Sequence, residues 1–265
     1  MKCQVQIFEV QVQIFEKARS SSVGCFKRHL GRVPIEDMSS SSEKETFKVD
    51  VLDVTDETLT KKVAALIAEG MCHDSGWAYI FGKNNAEDLQ WMIVRNLWLH
   101  KGSTYVYQSI DPAQNDGIEV VGTCTIMPPG HKPASLWQQA QLGLLKFPFL
   151  FGIQALKRLF EVKDFFDKSA YSGASKRPTY ALHMMCVDGS IRGKGYGTSI
   201  LRDCLEKYTG KVDGPKDYDV VLETQTERNV TFYERSGFKV QAKSTFHGGP
   251  EAGGFYSWSM KMDSE

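Results

Sequence analysis

The sequence lacks a charge bias: 32 Lys and Arg stand against 32 Asp and Glu, for a formal net charge of zero. No whole-chain field draws it to nucleic acid or to an acidic surface, so a nucleic-acid partner is not expected. Cysteine is present but unclustered. Cys3, Cys25, Cys72, Cys124, Cys186 and Cys204 include no CxxC pair and have no His cluster beside them. That spacing argues against a bound metal and against a disulfide scaffold, and the thiols read as reduced in a cytoplasmic compartment. Long apolar runs are missing too. The best, LGLLKFPFLFGIQAL from Leu142 to Leu156, carries Lys146 and Pro148 and falls short of the ~18 residues of a membrane span. It reads as a buried or lid helix; membrane-surface contact is the alternative, because the LKRLF that ends it adds basic residues. Two nucleotide patterns are also absent. There is no GxxxxGK[ST], and GxGxxG fails because Thr198 stands where its third glycine would be.

What is present suffices for one large domain: 265 residues, 42% of them hydrophobic. Residues 1–45 differ from the rest. They hold a duplication, QVQIFEV followed by QVQIFE, and Ser-rich stretches at 20–22 and 39–42. Two copies are too few for a repeat fold. Residues 1–35 carry six Lys and Arg against two Glu, a weak likeness to an organelle transit peptide. The simpler expectation is a poorly ordered extension, with Met38 as the functional start. From Phe47 the pattern becomes globular. FKVDVLDV alternates as a strand, TDETLTKKVAALIAEGM opens on a Thr or Asp cap and continues at helical spacing, and NAEDLQWMIVRNLWLHK makes a second helix. STYVYQSI and GIEVVGTCTIM read as a hairpin joined by DPAQNDG. After the break at PPG, residues 135–168 form a helical insertion before the strand TYALHMMCV. A helix to about Tyr208, the strand YDVVLETQ, the short helix RNVTFYERS and two final strands complete the chain.

The stretch IRGKGYGTSIL, Ile191 to Leu201, lies between a strand and a helix. Glycines there let the backbone approach a ligand closely. The first amides of the helix have no intrahelical partner, and the helix dipole favours an anion above them. A pyrophosphate suits such a place, with Arg192 and Lys194 adding charge and Thr198 a hydroxyl. A plain glycine-rich turn reads equally well from this stretch alone.

The stretch NVTFYERSGF, Asn229 to Phe238, resolves the ambiguity. VDGSIRGKGYG at 187–197 matches an [RQ]-x-x-G-x-[GA] pyrophosphate loop, and N-x-x-F-Y-x-x-x-G-F matches the helix and strand that close the same site. With these two motifs the chain resembles the GNAT superfamily of acyl-CoA-dependent N-acetyltransferases. The element order agrees over residues 47–262, and LETQTERNVTFYERSGF together with the insertion is most similar to the puromycin-type branch. The resemblance implies an α/β (α+β) domain over residues 46–265. Its sheet would be mixed, mostly antiparallel, splayed at the acyl-CoA site and covered by helices on both faces.

It also implies residue roles. Acetyl-CoA would be the co-substrate, its pantetheine arm bonded by backbone at Cys186 and Val187, with the Val187 amide polarising the thioester carbonyl. One such donor is typically worth ~3–4 kcal/mol of barrier. Arg192, Gly193, Lys194, Gly195, Tyr196, Gly197 and Thr198 would line the phosphates, and Asn229 and Phe232 would flank the arm. Tyr233 matches the tyrosine that protonates the departing thiolate; its alternative is a packing residue on an amphipathic helix. For the base, Glu223 and His183 are the candidates, and either residue reads equally as structural. Strand alternation puts His183, Met185 and Val187 on one sheet face. Cys186 is a strand residue and not a nucleophile, since the family transfers directly in a ternary complex. The sequon at Asn229 lies inside the cofactor motif and is set aside.

For the acceptor, the resemblance points to the first two helices, the loop between them and the insertion. There the chain supplies His73, Asp74, Trp77 and Tyr79, and Trp137, Phe147, Phe149 and Phe151. These suit a mostly apolar pocket, although core packing would use them as readily, and with no acidic cluster in either segment a small aromatic or amphipathic amine is expected over a polyamine or a histone tail. Two other readings stay open, a peptide-modifying acetyltransferase and a non-catalytic acyl-CoA-binding domain. The oligomeric state is not legible.

Overall fold

Strand β1 (Phe47–Val51) opens the described part of the computed structural model, which covers residues 47–82, 86–109, 119–131, 134–169, 177–209 and 218–262. The expected extension over 1–45 and the DPAQNDG turn lie outside the described residues. After β1 come helices α1 (Glu57–Met71), α2 (Ser75–Phe81) and α3 (Ala86–Leu99), then strands β2 (Thr104–Ser109) and β3 (Glu119–Met127). The insertion supplies α4 (Leu136–Gln141) and α5 (Phe147–Ser169). The remainder runs β4 (Thr179–Val187), α6 (Tyr196–Thr209), β5 (Asp219–Thr224), α7 (Glu227–Arg235), β6 (Phe238–Phe246) and β7 (Phe255–Met262).

The strands form one sheet in the order β1-β2-β3-β4-β5-β7-β6. All neighbours are antiparallel except β4 and β5, which are parallel. This is the mixed, mostly antiparallel sheet that the resemblance implies. Strands β2 and β3 are buried along nearly their whole length, as strands covered on both faces must be. Helix α1 and helix α6 both lie against β3 and β4 but belong to separate apolar clusters, so they cover opposite faces. On one face α1, α3 and α5 pack through Val63, Ile67, Ile93, Leu97, Leu159 and Val162. On the other, α6 buries Ile200, Leu201, Cys204 and Leu205, a stripe at helical spacing.

Local signals account for several boundaries. Asp56 caps α1 by accepting from the Leu59 N–H at 2.9 Å, and Ser135 and Gln138 form a reciprocal capping box on α4. Helix α2 stands where the sequence offers only a loop. Seven residues show little periodicity, and burial of Trp77 and Ile80 decides the matter. The insertion is broken as well: α5 kinks at Gly152, whose φ of 82° no other residue type adopts without strain.

Candidate active site

Strands β4 and β5 pair only over Thr179–Ala181 and Asp219–Val221. Beyond that point β5 continues to pair with β7 through Thr224, and β4 with β3 through Val187. The two parallel strands therefore diverge, and a cavity of about 750 Å³ opens between them. The glycine loop and the start of α6 wall one side, α7 another, and the segment from the end of α1 into α2 a third.

Strand β4 enters this gap with a bulge. Thr123 pairs with Cys186 but Thr125 pairs with His183, so one extra residue is accommodated on β4. Met184 takes φ 40°, a left-handed conformation that costs a side-chain-bearing residue roughly 1–2 kcal/mol. Its carbonyl accepts from the buried Thr123 hydroxyl at 3.1 Å. The bulge alters which residues share a face. Tyr180 and Leu182 pack with the α6 cluster, Met184 and Cys186 with the α1 cluster, and Met185 and Val187 with the α6 cluster again. Strict alternation, which would align His183 with Met185 and Val187, therefore fails at Met184. His183 instead lies on the side of His100, just past the end of α3, and its charge helps to lower the His100 pKa.

The same segment leaves Val187 facing the gap. The Asp188 N–H bonds the Val121 carbonyl at 2.8 Å, so the neighbouring Val187 N–H and C=O point away from β3. The carbonyl accepts from Arg192 Nε at 2.8 Å, which anchors the loop to the strand end. Gly193 and Gly195 have φ 81° and 88°, the left-handed region. Gly197 serves a different purpose: a Cβ there would stand 3.3 Å from the Phe232 ring and 3.7 Å from Val187. The third glycine thus lets α6 and α7 approach each other beside the cavity. Arg192, Gly193, Gly195, Gly197 and Thr198 line it with Asn229 and Phe232, whereas Lys194 and Tyr196 do not. Lys194 is exposed, and the Tyr196 ring packs edge-on against Phe47 at 5.1 Å.

Five ionisable groups meet the cavity with displaced pKa values. Burial pushes Glu223 up to about 8, partly opposed by the Ser259 hydroxyl that donates at 3.3 Å; its Oε2 has no partner and no solvent. Burial raises Asp74 to about 6; with the Gln225 amide turned nitrogen-first, that group donates to both carboxylate oxygens at 3.1 and 3.2 Å. Tyr233 lies well above its usual value, through burial and then the nearby thiols and Asp74. His183 falls to about 4 because its buried ring is costly to charge, and its Nε2 is unpartnered. The Cys186 thiol is pushed up to about 12 by burial, which keeps it protonated and unreactive.

On the acceptor side, His73, Asp74 and Trp77 reach the cavity, whereas Tyr79 does not and donates to Glu161 at 2.6 Å. The insertion contributes Phe166 alone. Phe147 and Phe151 pack against Phe81 at the core, tilted and edge-on respectively, and Trp137 and Phe149 are exposed. Arg228 and Arg235 on α7 line the cavity without having been singled out in the sequence. Their spacing with Phe232, at i, i+4 and i+7, is a signal that could have found them.

The family model for the acetyltransferase (GNAT) domain matches residues 164–240, the span from α5 through the loop and α7 into β6. This segment carries the signature of the acetyltransferase (GNAT) domain. Solved acetyltransferases share the fold at low identity. A histone acetyltransferase HPA2-related acetyltransferase from Corynebacterium glutamicum is 15% identical with a TM-score of 0.52, over 83% of this chain and 97% of that one. An agmatine N-acetyltransferase is 10% identical with a TM-score of 0.51, over 81% and 98%. No curated protein matches by sequence. Among the described residues no group of His, Cys, Asp and Glu could hold a metal ion, and no helix is long and apolar enough to cross a membrane.

Proposed function

We propose that this GNAT domain moves an acetyl group directly from acetyl-CoA to the primary amine of a small, mostly apolar or aromatic molecule in a ternary complex. The observation that carries the reading is the gap between β4 and β5, where one cavity joins a glycine loop and free helix amides to Trp77, Phe166 and two buried carboxyls. A cavity of this size and lining suits a small molecule. Acetyl-CoA brings the thioester and its thiol leaving group. Arg192, Gly193, Gly195, Gly197 and Thr198 hold its pyrophosphate, chiefly through backbone amides at the start of α6; the Lys194 and Tyr196 side chains, which point elsewhere, take no part. Asn229 and Phe232 flank its arm beside the backbone of Cys186 and Val187. The Val187 N–H, directed into the gap, donates to the carbonyl oxygen as negative charge builds there.

Magnitudes separate the candidate bases. An alkylammonium near pKa 10.4 gives its proton to a group near 8 at a cost of about 3 kcal/mol, and to an ordinary carboxylate at about 8. Burial of Glu223 therefore removes roughly 5 kcal/mol of that cost. His183 near 4 gains nothing comparable, and Glu223 is the base. Tyr233 is the acid. Its raised pKa keeps the proton on the phenol, and a thiolate leaving in the same surroundings is itself made strongly basic, as Cys186 near 12 illustrates.

Kinship with the puromycin-type branch rests on residues 222–238 and the insertion. Buried free thiols at Cys72, Cys124, Cys186 and Cys204 suit a reducing, cytosol-like compartment. A panel of amines offered with acetyl-CoA, followed by release of free CoA, tests the proposal. Turnover of small aromatic or amphipathic amines is expected. Turnover confined to peptides, or acetyl-CoA binding with no transfer to any amine, overturns it.

A further inference from the structure

The cavity leaves unexplained the outer surface of the insertion. Trp137 is 71% exposed, Phe149 89%, Ile153 62%, Leu150 53% and Leu145 48%. Single exposed apolar side chains are ordinary, but five within one short segment, two of them aromatic, mark an interaction surface. The backbone presents them. Before the kink at Gly152, Phe147 is buried and Phe151 packs edge-on against Trp91 at 5.3 Å, while Phe149 and Leu150 face out. After the kink, Ala155, Leu159 and Val162 enter the core and Ile153 stays outside.

Charge indicates what covers this face. Between Glu119 and Glu161 the chain has no acidic residue, yet it contains Lys132, Lys146, Lys157 and Arg158. Lys146 and Lys157 are exposed and bracket the apolar residues Phe149 to Ile153. In a chain of zero net charge this is a local basic, acid-free stretch. Two copies meeting through it would bring the same lysines together, which is repulsive. An anionic surface neutralises them.

We propose that this face docks the protein on an anionic lipid bilayer. Leu145, Phe149, Leu150, Ile153 and Trp137 enter the headgroup region, and Lys146 and Lys157 meet the lipid charges. An indole and a phenyl ring suit that depth. The contact is peripheral and does not depend on acetyl transfer.

The test is sedimentation of the full-length protein with vesicles of phosphatidylcholine alone and of phosphatidylcholine mixed with phosphatidylserine, read also by Trp fluorescence. Binding is expected to the mixed vesicles, with weakening at high salt. The pair Phe149→Ser and Ile153→Ser should weaken it at least about ten-fold, or ~1.4 kcal/mol. Lys146→Gln with Lys157→Gln should weaken it by about five-fold per lysine. Circular dichroism checks that these surface variants fold. No binding to mixed vesicles, or binding indifferent to Phe149→Ser with Ile153→Ser, overturns the proposal. A wild-type dimer that this pair turns into a monomer also overturns it, because a second copy then covers the face.

Discussion

Replacing Glu223 by Gln should change how stability depends on pH, and the size of the effect follows from the cavity. In the fold Glu223 titrates near 8, against 4.5 for an ordinary glutamate. Below pH 4.5 both folded and unfolded chains are protonated at this site. Between 4.5 and 8 the unfolded chain ionises first, so the folded state loses stability as pH rises; above 8 both are ionised and the loss levels off. Integrated from about pH 5 to 9, the loss is roughly 4 kcal/mol. For a fold of this size, ~2–4 °C of Tm accompanies each kcal/mol, which gives about 8–16 °C. Asp74, raised to about 6, titrates in the same direction, but it does so in both proteins and cancels from the difference. The amide that replaces the carboxyl cannot ionise and still accepts from the Ser259 hydroxyl. Thermal melts of wild type and Glu223→Gln from about pH 5 to 9 should therefore converge at low pH and separate at high pH, the variant being the more stable. Curves that stay parallel within about 2 °C would show that Glu223 carries no such proton. The same ionisation sets activity. Wild-type kcat/KM should climb through about pH 7 and level off above about 8, and the variant should lose that limb.

Other consequences are as direct. Tyr233→Phe should lower kcat about 100-fold or more with little change in the KM for acetyl-CoA, the pattern of a lost general acid; unchanged turnover refutes the role. Arg192→Ala removes both a charge for the pyrophosphate and the 2.8 Å bond that fixes the loop to Val187. Its KM for acetyl-CoA should rise about 10–100-fold, and an unaltered KM would place the phosphates elsewhere. The histidines titrate in the opposite sense to Glu223. His183 near 4 and His100 near 3 are neutral in the fold, so their contribution is complete above pH 6.5 and lost as pH falls below it. Acid melts of His183→Gln should fall less steeply than those of wild type between pH 6.5 and 4; equal slopes would mean that His183 is not buried uncharged.

Much of the fold was legible because its signals are local. Alternation marks the strands, Asp56 announces its helix, and the glycines at 193 and 195 need a backbone that other residues resist. The candidate site was legible where it is contiguous, as over residues 187–198 and 229–233. It was obscure where distant elements converge. Asp74 lies at the start of a helix without capping it through its side chain, and only the fold brings Gln225 to its carboxylate. Glu223 is an unremarkable strand residue until Oε2 is deprived of solvent. The aromatics of the insertion failed for the converse reason. Composition cannot tell Phe166, on the cavity wall, from Phe147 in the core or Phe149 in the open.

The bulge at Met184 is the least legible feature, since methionine marks neither a turn nor a left-handed backbone. It is also what turns Cys186 and Val187 relative to His183, and so what directs the Val187 N–H into the gap. Something must offset its strain. The Thr123 hydroxyl, fully buried, donates to the Met184 carbonyl at 3.1 Å and satisfies a backbone group at the point where the ladder shifts register. Thr123→Val keeps the side-chain shape and removes only the donor. A buried carbonyl left without a partner costs about 1–3 kcal/mol, which corresponds to a fall in Tm of about 2–12 °C. If the bulge also relaxes, the Val187 N–H moves and kcat falls while the pyrophosphate loop, anchored separately by Arg192, keeps its hold on acetyl-CoA. A Thr123→Val protein with wild-type Tm and kcat would mean that the left-handed turn of β4 stands without this hydroxyl.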